Sequence, residues 1–160
     1  PEIVYMDDLK VVGLQTLTTH RNNLIPRLWS RLCPFREDEI KNKVEPEIWL
    51  GVSFGMEKMK DDMEMFHLAG AVVKPIPDIP EGMTYRHVKG GKFAKFTHKG
   101  PLSKLNETYE FIYRDWLPKS GYEYGDADEY EWYDDRFDPE SENSELDIYV
   151  PIKKTSKSKV

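Results

Sequence analysis

The chain has 160 residues, enough for one domain or for two small halves sharing a core. Its formal net charge of -6 speaks against a nucleic-acid-binding domain, which would carry a basic face. No helix-turn-helix, zinc-ligand cluster or RNA-recognition motif is recognisable. One cysteine, Cys33, excludes a disulfide within the chain, and the absence of a signal peptide and of any long apolar run leads to the expectation of a soluble, cytoplasmic protein.

In chain order, residues 3–18 carry Val11, Val12, Leu14 and Leu17 and suit a strand. A polar turn follows, in which Asn22 or Asn23 can cap a helix. Leu24, Leu28 and Leu32 fall at helical spacing, with Pro26 tolerable in the first turn and Pro34 ending the helix. Cys33 reads as a small core residue. A short charged helical turn is expected over 37–42. Ile48, Trp49, Leu50, Val52 and Phe54 make a second strand, where Gly51 and Gly55 mark bends or the close approach of another group. A charged turn over 57–62 leads to a strand over 63–73. Residues 74–82, with Pro75, Pro77 and Pro80, read as an extended joint at the midpoint of the chain.

The second half opens with a long strand or bent hairpin over 84–97, with Gly90 and Gly91 as the bend. From Pro101, Leu102, Leu105, Tyr109, Ile112 and Trp116 form one helical stripe, with Tyr113 on its flank; Pro118 and Gly121 stop it. The order strand, helix, strand, strand then recurs. Trp29 corresponds to Trp116, and Trp49 with Phe54 corresponds to Trp132 with Phe137. An acidic loop over 138–144 leads to the last strand, 144–152. There Leu146, Ile148, Val150 and Ile152 take one face, and Glu145, Asp147 and Tyr149 take the other. The tail from Lys153 onward is basic and reads as a frayed terminus.

The chemistry visible at this level is an acidic pair and many rings. Two carboxylates one strand-step apart repel, so one can hold its proton near neutrality where water is scarce. No Ser-His-Asp arrangement, phosphate-cradling loop or redox pair is present. His20, His67, His87 and His98 are too scattered in sequence to suggest a metal, and neither metal nor cofactor is expected. Tyr109 and Tyr113 need partners if buried. A tyrosine-lined pocket with carboxylates at its base favours flat, apolar, cationic ligands.

The run Phe93 to Pro101, the helix ending in Trp116 to Tyr122, Tyr130 to Tyr133, Phe137 and the closing Asp147 to Ile152 resemble the GyrI-like small-molecule-binding family, also called AraC-type effector-binding domains. Ile25 to Trp29 and Ile40 to Val44 are similar too. The resemblance implies an α+β fold: two pseudo-twofold strand-helix-strand-strand (SHS2-type) modules, about 1–76 and 83–154, form one antiparallel-sheet domain with a central ligand groove, and a tail, 155–160, follows. It implies a groove acid four residues before the last-strand proline, which is Asp147 here, with Glu145 able to take the role. Trp49, Phe54, Phe66, Tyr109, Tyr113, Tyr133 and Tyr149 are the expected walls. The expected function is a free-standing pocket for aromatic or amphipathic, often cationic, compounds, with no direct nucleic-acid or membrane partner. The family also implies two alternatives. One is hydrolysis of cyclopropane-bearing genotoxins, with Asp147 and Glu145 as catalytic acids. The other is an interaction with DNA gyrase or a regulator.

Overall fold

The computed structural model describes residues 1–19, 22–55 and 64–155. His20, the charged turn expected over 57–62 and the tail beyond 155 lie outside these residues. The elements in order are β1 (Glu2–Met6), β2 (Leu9–Thr19), α1 (Ile25–Leu32), a 3-10 turn (Glu37–Glu39), β3 (Trp49–Phe54), β4 (Glu64–Val72), β5 (Thr84–Val88) and β6 (Gly91–Lys99). A helical rod follows: a 3-10 turn (Leu102–Lys104), α2 (Leu105–Glu110), a π-helical stretch (Phe111–Trp116) and α3 (Leu117–Lys119). The chain ends in β7 (Tyr122–Tyr124), β8 (Glu129–Tyr133) and β9 (Glu145–Lys154). Among the described residues, no helix is long and apolar enough to cross a membrane.

The strand order is β1-β6-β9-β8-β3-β4-β2-β5, with every pairing antiparallel, and β7 adds to the far end of β9. This order reads symmetrically about the β8/β3 pair. Two features differ from the sequence reading. The strand expected over 3–18 breaks at Asp7 and Asp8, because β1 pairs with β6 while β2 pairs with β4 and β5. The bend at Gly90-Gly91 is real, but β5 and β6 are not a hairpin: β5 pairs with β2, and β6 with β1 and β9. Each half therefore lends its leading strand to the other.

Two residues separate Val88 from Gly91, yet β5 and β6 belong near opposite edges of the sheet. The sheet must curl to bring them together. Inside the curl Val11, Leu50, Val52, Leu68, Val88, Phe93, Tyr130 and Tyr149 form one core. The outer face carries both helical elements. Leu28 and Leu32 of α1 pack on Val12, Leu14, Ala69 and Ala71. Ile112 of the rod packs on Ala94, Leu146, Ile148 and Val150, and Trp116 sits edge-on to Phe96 at 5.1 Å. Ile112 and Ile148 are fully buried, and burying such a side chain stabilises by about 1.5–3 kcal/mol.

The ladder also corrects the matching of Trp49 with Trp132. Opposed residues share a face, and Trp49 stands opposite Tyr133 while Trp132 stands opposite Leu50 and Asp147. Trp49 thus faces the helices, packing beside the α1 core, and Trp132 packs inside the curl. A shift by an odd number of residues inverts the face of every side chain in a strand.

Candidate functional site

The two helical elements cover the two wings of the outer face and leave its centre, β3 against β8, between them. The register lays out this centre in rows. His67, Ser53 and Glu129 form one, and Ala69, Gly51 and Glu131 the next. Trp49 and Tyr133 close the third. Ser53, Gly51 and Ala69 are small, so the floor is low, and the carboxylates of Glu129 and Glu131 stand beside it.

The rod supplies the roof. Tyr109 and Tyr113 are four residues apart, about 6 Å along a helix, and Glu131 and Glu129 are two apart, about 6.7 Å along a strand. The two spacings match, and the elements run in opposite directions. Tyr109 therefore donates its hydroxyl to Glu131 Oε2, and Tyr113 donates to Glu129 Oε2. The two rings stack with centroids 6.3 Å apart and planes within 5°. The second oxygen of Glu131 takes the hydroxyl of Tyr133 from the same strand. Tyr133 also meets Trp29 of α1 edge-on at 5.5 Å, which ties the first helix to the cluster. Tyr113 lies in the π-helical stretch, where Leu117 N–H reaches back five residues to Ile112 O. Such single turns recur at functional sites.

Burial sets the electrostatics. Glu129 is 8% exposed, and desolvation raises its pKa to about 7; the hydroxyl of Tyr113 opposes that rise and the charge of Glu131 adds to it. Tyr109, Tyr113 and Tyr133 are all held above the ordinary phenol range, first by burial and then by the facing carboxylates. They stay protonated donors. Across the floor, Ser53 Oγ lies 2.9 Å from His67 Nδ1. His67 is pushed down by burial, with Glu131 working the other way. Its Nε2 is buried without a hydrogen-bond partner among the described residues, a state that costs about 1–3 kcal/mol.

The residues singled out from sequence divide between the two faces. Tyr109, Tyr113, Tyr133 and Trp49 lie on the helix side. Phe54 and Phe66 stack on each other at 5.3 Å on the opposite face, with the Arg86 guanidinium 3.5 Å from the Phe54 ring. Tyr149 stacks on Tyr130 at 4.9 Å inside the curl. Glu145 and Asp147 point to that inner face too. Asp147 is 4% exposed. It takes Arg136 Nη2 at 2.7 Å and Thr97 Oγ1 at 2.8 Å, with Lys95 Nζ at 3.8 Å. Glu145 stands 3.5 Å from the same guanidinium. The two acids are thus no part of the tyrosine cluster: with Asp134, whose carboxylate holds the same guanidinium at 2.8 Å, they gather round Arg136, Asp147 buried and Glu145 partly exposed. His98, expected to make turn contacts, does so, reaching Thr108 Oγ1 at 2.6 Å and Pro101 O at 3.2 Å.

Glu129, Glu131, Ser53, His67 and Trp29 are the cluster members that the sequence reading left out. A signal existed for the acids. Glu129, Glu131 and Tyr133 alternate along their strand as Glu145, Asp147 and Tyr149 do along theirs. No comparable signal marks His67. Among the described residues, no group of three His, Cys, Asp or Glu side chains can hold a metal ion. An open cavity of about 420 Å³ lies apart from the cluster, beside the outer side of the rod, with Pro1, Phe96, Thr97, Glu107, Thr108 and Phe111 around it. It is mostly apolar, so the chemistry stays with the covered carboxylates.

A family model described as GyrI-like small molecule binding domain matches residues 1–153. Over 151 residues the chain is 36% identical to the transcriptional regulator BrlR of Pseudomonas aeruginosa, covering 94% of this chain and 54% of BrlR. Over 88 residues it is 34% identical to the probable transcriptional regulator YgiV of Escherichia coli K12, covering 54% of this chain and 55% of YgiV. The chain spans about half the length of the curated relatives it matches. The solved structure of SAV2435 bound to tetraphenylphosphonium superposes with a TM-score of 0.74 at 19% identity, covering 95% of this chain and 93% of that one. At that identity the likeness is one of fold.

Proposed function

This chain belongs to the GyrI-like small-molecule-binding family, and on that premise we propose that it captures aromatic or amphipathic organic cations at the β3/β8 centre, between α1 and the rod. Glu131 and Glu129 receive the charge. Tyr109, Tyr113, Tyr133, Trp29 and Trp49 line the ligand. The observation that carries this reading is that both carboxylates face phenol hydroxyls, and among the described residues neither enters an ion pair. A carboxylate in a dry, ring-lined site gains more from an arriving cation than one already neutralised. The hydroxyls stand where the ligand's charge would go, so binding exchanges neutral donors for a cation. The tetraphenylphosphonium found on SAV2435, an aromatic cation, supports the same ligand class here. Calorimetric titration with tetraphenylphosphonium tests the proposal. Saturable binding that Glu131→Gln weakens about tenfold is the expected result; no heat from the wild type removes the reading.

A second reading rests on Glu129. With a pKa of about 7 it exists in both protonation states near neutrality, which suits a general acid or base for opening a strained ring. Incubation with a cyclopropane-bearing indole toxin decides it. Product beyond one equivalent, lost in Glu129→Gln, supports a hydrolase. Binding without product leaves capture alone.

A further inference from the structure

The two carboxylates of the cluster have a set separation, and that separation measures the ligand. Glu129 and Glu131 share the helix face of β8, opposite Ser53 and Gly51 of β3. They are two residues apart, about 6.7 Å along the strand. Each takes a phenol hydroxyl of the rod, and the two rings lie parallel with centroids 6.3 Å apart. One spacing thus recurs in the charges and in the rings.

The surrounding elements bring no positive charge to this pair. Tyr113 of the rod donates a neutral hydroxyl to Glu129, and Tyr124 of β7 lies within electrostatic reach of it. His67 of β4, in the Glu129 row, is 1% exposed and held below the ordinary imidazole range by burial, so it too is neutral near pH 7. Among the described residues neither acid enters an ion pair. A single cation compensates one carboxylate and leaves the other either charged out of water or protonated. A second positive charge one strand step away compensates both.

The direction of that second charge is set as well. Beyond the Trp49 and Tyr133 row, Lys43 pairs with Val73 just past β4, and its ammonium stands 5.1 Å from the centre of the Trp49 ring. That end of the face already holds a cation of the chain itself. A further positive charge is repelled from it and falls to Glu129.

Resting on the cation-capture reading, we propose that the preferred ligands are aromatic dications whose charges lie about 7 Å apart, one seated at Glu131 and the other at Glu129. Glu129 is then the residue that separates dications from monocations.

Two probes of nearly one shape test this on the whole chain. N,N′-dimethyl-4,4′-bipyridinium carries a charge on each ring, with close to the required span between its nitrogens. N-methyl-4-phenylpyridinium has the same two rings and one charge. In calorimetric titration the wild type is expected to bind the dication about tenfold more tightly, roughly the worth of one further charge-assisted pairing. In Glu129→Gln that ratio falls to about one or below, while Glu145→Gln keeps it. No preference in the wild type, or a preference unchanged by Glu129→Gln, overturns the inference. Should Glu129→Gln fail to fold, proton release by the wild type near neutrality, compared between two buffers of different ionisation enthalpy, decides instead. Glu129 titrates near 7, so the dication is expected to release more protons on binding than the monocation; equal release overturns the inference. Tetraphenylphosphonium is the third probe. If it binds while the dication shows no preference, this inference alone falls; if none of the three binds, cation capture falls as well.

Discussion

Two neighbouring strands carry the same short pattern and do different things with it. β8 reads Glu129, Glu131, Tyr133 at alternate positions; β9 reads Glu145, Asp147, Tyr149. They pair directly, but Glu131 stands opposite Ile148, and Asp147 stands opposite Trp132. The two triplets are out of step by one residue and so emerge on opposite faces. On the inner face Arg136, Lys95 and Thr97 are within reach, and Asp147 is neutralised. On the helix face the partners are Tyr109, Tyr113 and Tyr133, which bring no charge. The same acid-acid-tyrosine pattern joins an ion-pair network in one place and meets uncharged phenols in the other. What decides is the neighbouring element, not the strand.

The contrast can be broken from either side. The largest effect is expected from Glu129→Gln combined with Glu131→Gln. Affinity for tetraphenylphosphonium should fall about 100-fold, close to 3 kcal/mol, whereas Glu145→Gln combined with Asp147→Asn should leave it within about twofold; calorimetry reads both. Next is Asp147→Ala, which leaves Thr97 Oγ1 without its acceptor and costs Arg136 one of its carboxylates, Asp134 remaining; unfolding free energy should fall by about 1–3 kcal/mol in a denaturant titration, with cation affinity kept.

Acidity separates the two groups again. Glu129 titrates near 7 when folded, above the ordinary carboxylate range. Between those values the folded chain holds more protons than the unfolded one, so this contribution to stability is full at low pH and is lost as pH rises through 7. Cation affinity should move the other way, rising over the same window as Glu129 ionises. Melting temperature and affinity measured between about pH 5 and pH 8 show both trends, and Glu129→Gln removes them while Glu145→Gln does not. A smaller change is expected from Tyr109→Phe: about 1 kcal/mol of stability is lost, and cation affinity rises, because one competing hydroxyl is gone. Smallest is Glu145→Gln, within about 0.5 kcal/mol, since its contact with Arg136 is partly exposed.

Most of the elements were legible in the residues. Leu28 and Leu32 mark the buried stripe of α1, and Leu105, Ile112 and Trp116 that of the rod, because helical spacing needs no knowledge of partners. The π-helical turn was not legible, since Phe111 to Trp116 is ordinary helical sequence. Strand alternation was equally plain in β9, but alternation sorts side chains into two sets without saying which set faces a helix. That depends on pairing between residues far apart in the chain, as between Glu2 of β1 and Lys95 of β6, which local pattern does not encode. Tyr109 and Tyr113 were visible as phenols in want of acceptors. Their acceptors came from a strand in which Tyr130 and Trp132 alternate with the acids, so aromatic character masked the pattern that stood out in aliphatic β9.

The exchange of leading strands has a consequence for taking the molecule apart. β1 completes the wing built on β6, and β5 completes the wing built on β2, while the inner core draws Leu50 and Leu68 from one half and Phe93 and Tyr130 from the other. Cutting the chain between Pro75 and Pro80 would yield two fragments, each with an unfilled edge and half of an interior. Neither would be a miniature of the whole. Mixed together, they have every reason to recombine, and a reporter split across that joint would light up only when both pieces meet.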